Sequence, residues 1–231
     1  PSSYNFNESE DYVCYTDDIF VGYRYFETFA PLKVAYPFGY GLGYTTFRLD
    51  TVGAALEKNT VRLSVRVTNT GVYPGKEVVQ LYLQAPQGKL GKPARELAAY
   101  KKTKLLAPNE SETVVMSFDI SDMASFDDLG KIAKSAYVLE EGSYEFYLGT
   151  SVRDAEKLVF EYAVAEDTVV EQLKNWCKPF KLKKRMLSDG SYEELPQNEE
   201  FYLYGSLDGP RLDHTVANFQ TLQFLSDHGA W

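Results

Sequence analysis

At 231 residues, 44% of them hydrophobic and 25% charged, the chain has the size and composition to bury one large core or two small ones. Its net charge of −9 argues against a nucleic-acid partner, since neutralising phosphates requires a basic face. No apolar run reaches the length of a membrane span, no signal-peptide pattern opens the chain, and Cys14 and Cys177 are too few for a disulfide framework. Free thiols in a reducing, cytoplasmic setting are the expectation.

Residues 1–46 do not read as the start of a domain. Polar residues from Asn5 to Asp11 give way to the aromatic block Tyr15–Phe26, YTDDIFVGYRYF. A second cluster, Tyr36–Phe47, alternates Gly39, Gly41 and Gly43 with Phe38, Tyr40, Leu42 and Tyr44. Glycine at that spacing lets a backbone turn sharply or approach another surface closely, and the rings then need a partner to cover them. A phosphate-cradling role is not expected, because neither a strand-to-helix context nor a P-loop lysine follows. Tyr23, Arg24, Tyr25, Phe38, Tyr40 and Tyr44 are the candidate domain-interface residues. Arg24, between two tyrosines, is the first to test for a buried ionic or stacking role.

From residue 47 to about 165 the pattern is all β. The predicted strands are 47–56, 60–70, 76–85, 95–105, 112–120, 136–140, 142–149 and 158–164, with turn residues between them. The centre is Val61–Pro86, which reads as two strands joined by a turn. Val61, Leu63, Val65 and Val67 alternate with polar residues, as do Val79, Leu81 and Leu83, and Asn69, Gly71, Pro74 and Gly75 lie between the two runs. Such a pair needs a second sheet over its apolar face. Residues 121–127 are expected as a short helical turn capped by Ser121. Short, evenly spaced strands without long helical patterns predict a mainly β fold, a β-sandwich of the fibronectin type III or immunoglobulin kind.

Past residue 165 the tail is expected to be irregular and partly helical. Val169, Val170, Leu173 and Trp176 predict a short helix over 166–176, followed by a solvated basic run, 178–185, and an acidic patch, 193–200. One more strand is expected at 201–207 and an amphipathic helix at 216–225. The organisation expected is therefore an incomplete segment, 1–46, a sandwich, 47–165, and a linker with an incomplete segment, 166–231.

No self-contained active site is legible. His214 and His228 have no metal-ligand spacing around them, and no strained GxSxG turn offers a nucleophilic serine. The adjacent carboxylates Asp17 and Asp18, Asp127 and Asp128, and Glu140 and Glu141 are expected in turns and at the surface, because neighbours on a strand point to opposite faces. No catalytic, metal-binding or cofactor-binding residue is nominated.

The motifs above resemble the C-terminal part of family 3 glycoside hydrolases, the β-glucosidase and β-xylosidase group. YTDDIFVGYRYF at Tyr15–Phe26 and YPFGYGLGYTTF at Tyr36–Phe47 are similar to the two motifs that end that family's α/β sandwich domain. Gly43 stands where the family usually has Ser. Val65–Leu83, Lys92–Leu106, Met123–Phe126 and Glu141–Arg153 resemble its fibronectin type III-like domain. The resemblance covers residues 12–165 and implies that the catalytic residues lie elsewhere, in a (β/α)8 barrel and an α/β sandwich domain. Those domains, in cis or as a separate chain, are the implied partners, and a saccharide is the implied substrate of the parent. Some members place the barrel after the fibronectin-like domain, and Val169–Leu195 is similar to their connector, whereas 196–231 do not resemble a barrel start. The rival expectation is a free-standing carbohydrate-binding or protein-interaction module. Trp176 and Trp231, the only tryptophans, lie outside the predicted sandwich.

Overall fold

The computed structural model describes residues 7–8, 13–14, 18–174 and 183–196. Among these, one compact unit comprises 18–174 and 186–191, and a second comprises 7–8, 13–14, 183–185 and 192–196. In the second, β1 (Asn7–Glu8) pairs antiparallel with β2 (Val13–Cys14). The strands β13 (Lys184–Met186) and β14 (Tyr192–Glu194) form a short hairpin, with Arg185 Nε 3.0 Å from Glu193 Oε2 across it. The expected elements at 201–207 and 216–225, both histidines, both tryptophans and Cys177 lie outside the described residues.

The first unit contains a β-sandwich, the fold class expected. Strands β3 (Phe47–Glu57), β4 (Thr60–Asn69) and β7 (Ser111–Asp119) form a sheet in the order β3-β4-β7. Facing it is a four-stranded sheet of β5 (Val78–Gln84), β6 (Glu96–Lys102), β10 (Gly142–Gly149) and β11 (Glu156–Val164), ordered β11-β10-β5-β6. The alternating residues of four strands meet as the core: Val61, Leu63, Val65 and Val67 from β4, Val114, Met116 and Phe118 from β7, Val79, Leu81 and Leu83 from β5, and Tyr144, Phe146 and Leu148 from β10. Period-2 alternation predicts a half-buried strand, and here it selects the buried face.

The central pair is joined differently from the expectation. β4 pairs with β3 and β7, and β5 pairs with β10 and β6, so the two strands sit in opposite sheets and cover each other. The glycines between them serve close approach: a Cβ on Gly75 would fall 2.5 Å from Thr45 Cγ2, and one on Gly71 would strike the Thr45 hydroxyl. Asn69 ends β4 fully buried. Its amide donates to Tyr73 O (2.8 Å) and Leu106 O (2.9 Å), while its carbonyl accepts from Thr45 Oγ1 (2.6 Å) and Gly71 N (3.0 Å). All four hydrogen-bonding positions of that side chain are filled, as burial demands.

Two local expectations are corrected. The turn at 120–123 is a 3-10 helix capped by Asp119 rather than Ser121, with Asp122 returning the Asp119 N–H in a capping box. The helix expected over 166–176 is a strand where described: β12 (Thr168–Gln172) pairs with β9 (Ala136–Leu139), which pairs with β8 (Ser125–Asp127) in a side sheet. All five β12 residues are exposed, so a helical stripe had no surface to bury against. The open edge of β9 and the β-branched run Thr168, Val169, Val170 favour a strand.

Candidate functional site

A helix of seven residues, α1 (Tyr23–Phe29), is too short to hold itself together in water. It stands on contacts with the outer face of the four-stranded sheet. Tyr23 stacks on Phe38 with centroids 4.5 Å apart and meets Tyr82 edge-on at 6.3 Å, while the Leu97 N–H donates to its hydroxyl at 2.8 Å. Burial raises the Tyr23 pKa, against the opposing pull of that N–H and of Arg24. Thr28 Oγ1 accepts from Ala94 N (2.9 Å) and donates to Arg24 O (2.6 Å), and Glu27 pairs with Arg153 at 3.1 Å.

Further along, Val152 N donates to Phe38 O at 2.9 Å. Gly39, at φ 87°, approaches so closely that a Cβ would lie 2.6 Å from Gln80 Nε2. These contacts explain why β5 is buried on both faces. Gln80 and Tyr82, which the alternation turns outward, lie beneath this segment with Tyr82 Oη donating to Gln80 Oε1 at 2.5 Å.

The six candidate residues therefore divide. Tyr23, Arg24 and Phe38 contact the sandwich, and Tyr25 meets Phe26 and Phe29 at 5.3 Å each. Tyr40, half exposed, tilts against Tyr36 at 4.9 Å, and Tyr44 is 93% exposed. Arg24 reaches Glu96 at 3.0 Å with both side chains partly in solvent, so the pair is worth little. Arg24→Met is expected to lower unfolding free energy by less than about 1 kcal/mol in a urea titration.

The carboxylate pairs are corrected more sharply. Asp127 and Glu140, expected at the surface, are buried. Glu140 forms an ion pair with Lys92, their side chains 3% and 2% exposed, although the two residues are far apart in sequence. Its carboxylate also accepts from Lys89 N (2.5 Å) and Leu90 N (3.2 Å), and the Lys92 ammonium donates to Leu90 O (3.2 Å). The loop from Pro86 to Pro93 is wound around this carboxylate, so closely that a side chain at Gly88 would strike it. Nearby, burial pushes the Tyr144 hydroxyl up to about 12 against the Glu140 N–H that it accepts.

Asp127 accepts four backbone N–H groups, Gly130 and Ile132 at 2.7 Å, Ala133 at 2.9 Å and Lys131 at 3.0 Å. Burial pushes its pKa up, and the four N–H groups together outweigh that and hold it below the usual range. Both buried carboxylates are thus surrounded by protein donors. A cleft of about 800 Å³ lies between edge strands β3 and β11, lined by Phe47, Leu49, Leu158 and Phe160. Asp154 on its wall is held by Thr150 N (3.0 Å) and Ser151 N (2.6 Å). Among the described residues no three His, Cys, Asp or Glu side chains group as a metal site.

The family of fibronectin type III-like domains matches residues 77–152. Beta-glucosidase A of Butyrivibrio fibrisolvens is 52% identical over 224 residues, covering 90% of this chain and 27% of its own length. A beta-glucosidase of Ruminococcus albus is 46% identical over 200 residues, 85% of this chain and 21% of its own. Coverage of that extent must take in part of residues 166–231. Among solved structures, a beta-glucosidase from Paenibacillus barengoltzii superposes with a TM-score of 0.77 at 47% identity, covering 86% of this chain and 23% of that one. The chain spans about a quarter of the length of the relatives it matches.

Proposed function

We propose that the chain is an accessory portion of a β-glucosidase of glycoside hydrolase family 3, buttressing catalytic domains outside this sequence. The reading is carried by one observation: nine-tenths of this chain matches about a quarter of a β-glucosidase. The parent's chemistry would be double-displacement hydrolysis of a β-linked glucoside. Its acid and nucleophile would come from the three-quarters of the polypeptide that this chain does not contain. The contribution of this chain is a rigid sandwich on which the aromatic segment 18–44 is seated. The buried ionic groups belong to that rigidity: Glu140 is paired with Lys92, and Asp127 is held by backbone N–H groups.

The test is turnover of an aryl β-glucoside. The pure chain is expected to give none. The B. fibrisolvens enzyme with this chain in place of its matching region is expected to hydrolyse the glucoside. Turnover by the isolated chain, or an inactive chimera, would overturn the reading.

A further inference from the structure

The segment that seats on the sandwich has a second, exposed side. Leu42 and Tyr44 are 90% and 93% exposed, Tyr36 and Tyr40 show much of their rings, and residues 34–47 contain no charged side chain. A continuous uncharged aromatic strip is unusual on a free surface. Its glycines sharpen the point. Gly39 is required by its own chain, through a positive φ and contact with Gln80 and Ser151. Gly41 and Gly43 are not. Among the described residues no heavy atom lies within 4 Å of a Cβ built on Gly41, and Gly43 would meet only Thr45, at 3.6 Å. Neither has a positive φ. Among the described residues, nothing asks these two positions to lack a side chain.

Glycine between large rings is what a surface needs when another backbone packs directly against it. We propose that the strip Tyr36–Tyr44 is a docking surface for the remaining polypeptide of the β-glucosidase. A neutral backbone segment would lie across Gly41 and Gly43, and apolar pockets would receive Leu42 and Tyr44. The proposal rests on the functional reading above. The relatives supply the occupant: about three-quarters of their length is polypeptide beyond this match. The absence of charge excludes a polyanion as the natural fit. Anchorage of the inner side through Tyr23, Phe38 and Gly39 means the strip is presented in a set shape, at little ordering cost on docking.

The test compares Gly41→Val, Gly43→Val and Tyr44→Ala in the isolated chain and in the B. fibrisolvens chimera. In the isolated chain the melting temperature is expected to stay within about 2 °C, because these positions touch so little. In the chimera the same changes are expected to lower it by about 5 °C or more and to cut aryl-glucoside turnover at least about tenfold. An unaltered chimera overturns the docking surface while leaving the functional reading standing. An equal loss in the isolated chain overturns it too, since the glycines would then serve the chain itself. An inactive chimera carrying the unmodified chain overturns the functional reading and the surface together. Two other occupants would also refute it: a dimer of the isolated chain that Gly41→Val converts to monomer, or saturable tyrosine quenching by cellobiose that Tyr44→Ala abolishes.

Discussion

Glu140→Ala is expected to destabilise the sandwich by about 3–5 kcal/mol, the range for removing one partner of a buried ion pair. The loss does not measure the attraction between Glu140 and Lys92. Truncation leaves the Lys92 ammonium buried with, among the described residues, only Leu90 O as hydrogen-bond partner, and it strips the acceptor from the Lys89 and Leu90 N–H groups. The loop at 86–93 then has nothing to wind around. Against a typical total of about 5–15 kcal/mol, such a change removes much of the margin. Urea unfolding of Glu140→Ala, Lys92→Met and the double variant Glu140→Leu with Lys92→Met separates the contributions. The double variant is expected to recover part of the stability, because no charge is left unpaired. A single variant within about 1 kcal/mol of the parent would show that the pair is solvated in solution.

Asp127→Asn is expected to cost about 3 kcal/mol at neutral pH. The substitution keeps the shape but removes the charge and turns one acceptor oxygen into a donor facing two N–H groups. It carries a pH signature. The folded-state pKa of Asp127 is depressed, so its contribution is fully present above the unfolded carboxylate value, near 3.9, and is lost as pH falls through the folded value. The stability difference between parent and Asp127→Asn should therefore be flat near neutrality and shrink at acid pH. A difference that widens on acidification would contradict the four-donor arrangement. Some of the loss also reflects the loop at 130–133, whose backbone N–H groups converge on this carboxylate.

Much of the sandwich was legible because alternation is a local property. Leu63 and Phe118 are buried for the reason their spacing implies, and the strand limits fall within a few residues of those predicted. The candidate surface was legible only in kind. The aromatic and glycine composition of 15–47 announced that something must cover those rings, but could not say that Tyr23 and Phe38 face the chain's own sheet while Tyr44 faces outward. Glu140 shows the limit more plainly. Its neighbours Glu141 and Gly142 mark a turn, and turns are usually wet, yet its carboxylate is taken up by a loop 48 positions away at Lys92.

By itself, then, the sequence determined which residues alternate, where the chain turns, and that an aromatic, uncharged strip needs a partner. Each of these depends on neighbours within a few residues. Tertiary structure alone decided that β4 and β5 belong to opposite sheets, that β5 is covered on both faces, that residues 168–172 extend a sheet instead of coiling, and that Asp127 and Glu140 are buried. The physical reason is common to all four. Strand partners, the second cover of a sheet and the donors around a buried carboxylate come from distant segments, and burial is favourable only when all of them arrive together.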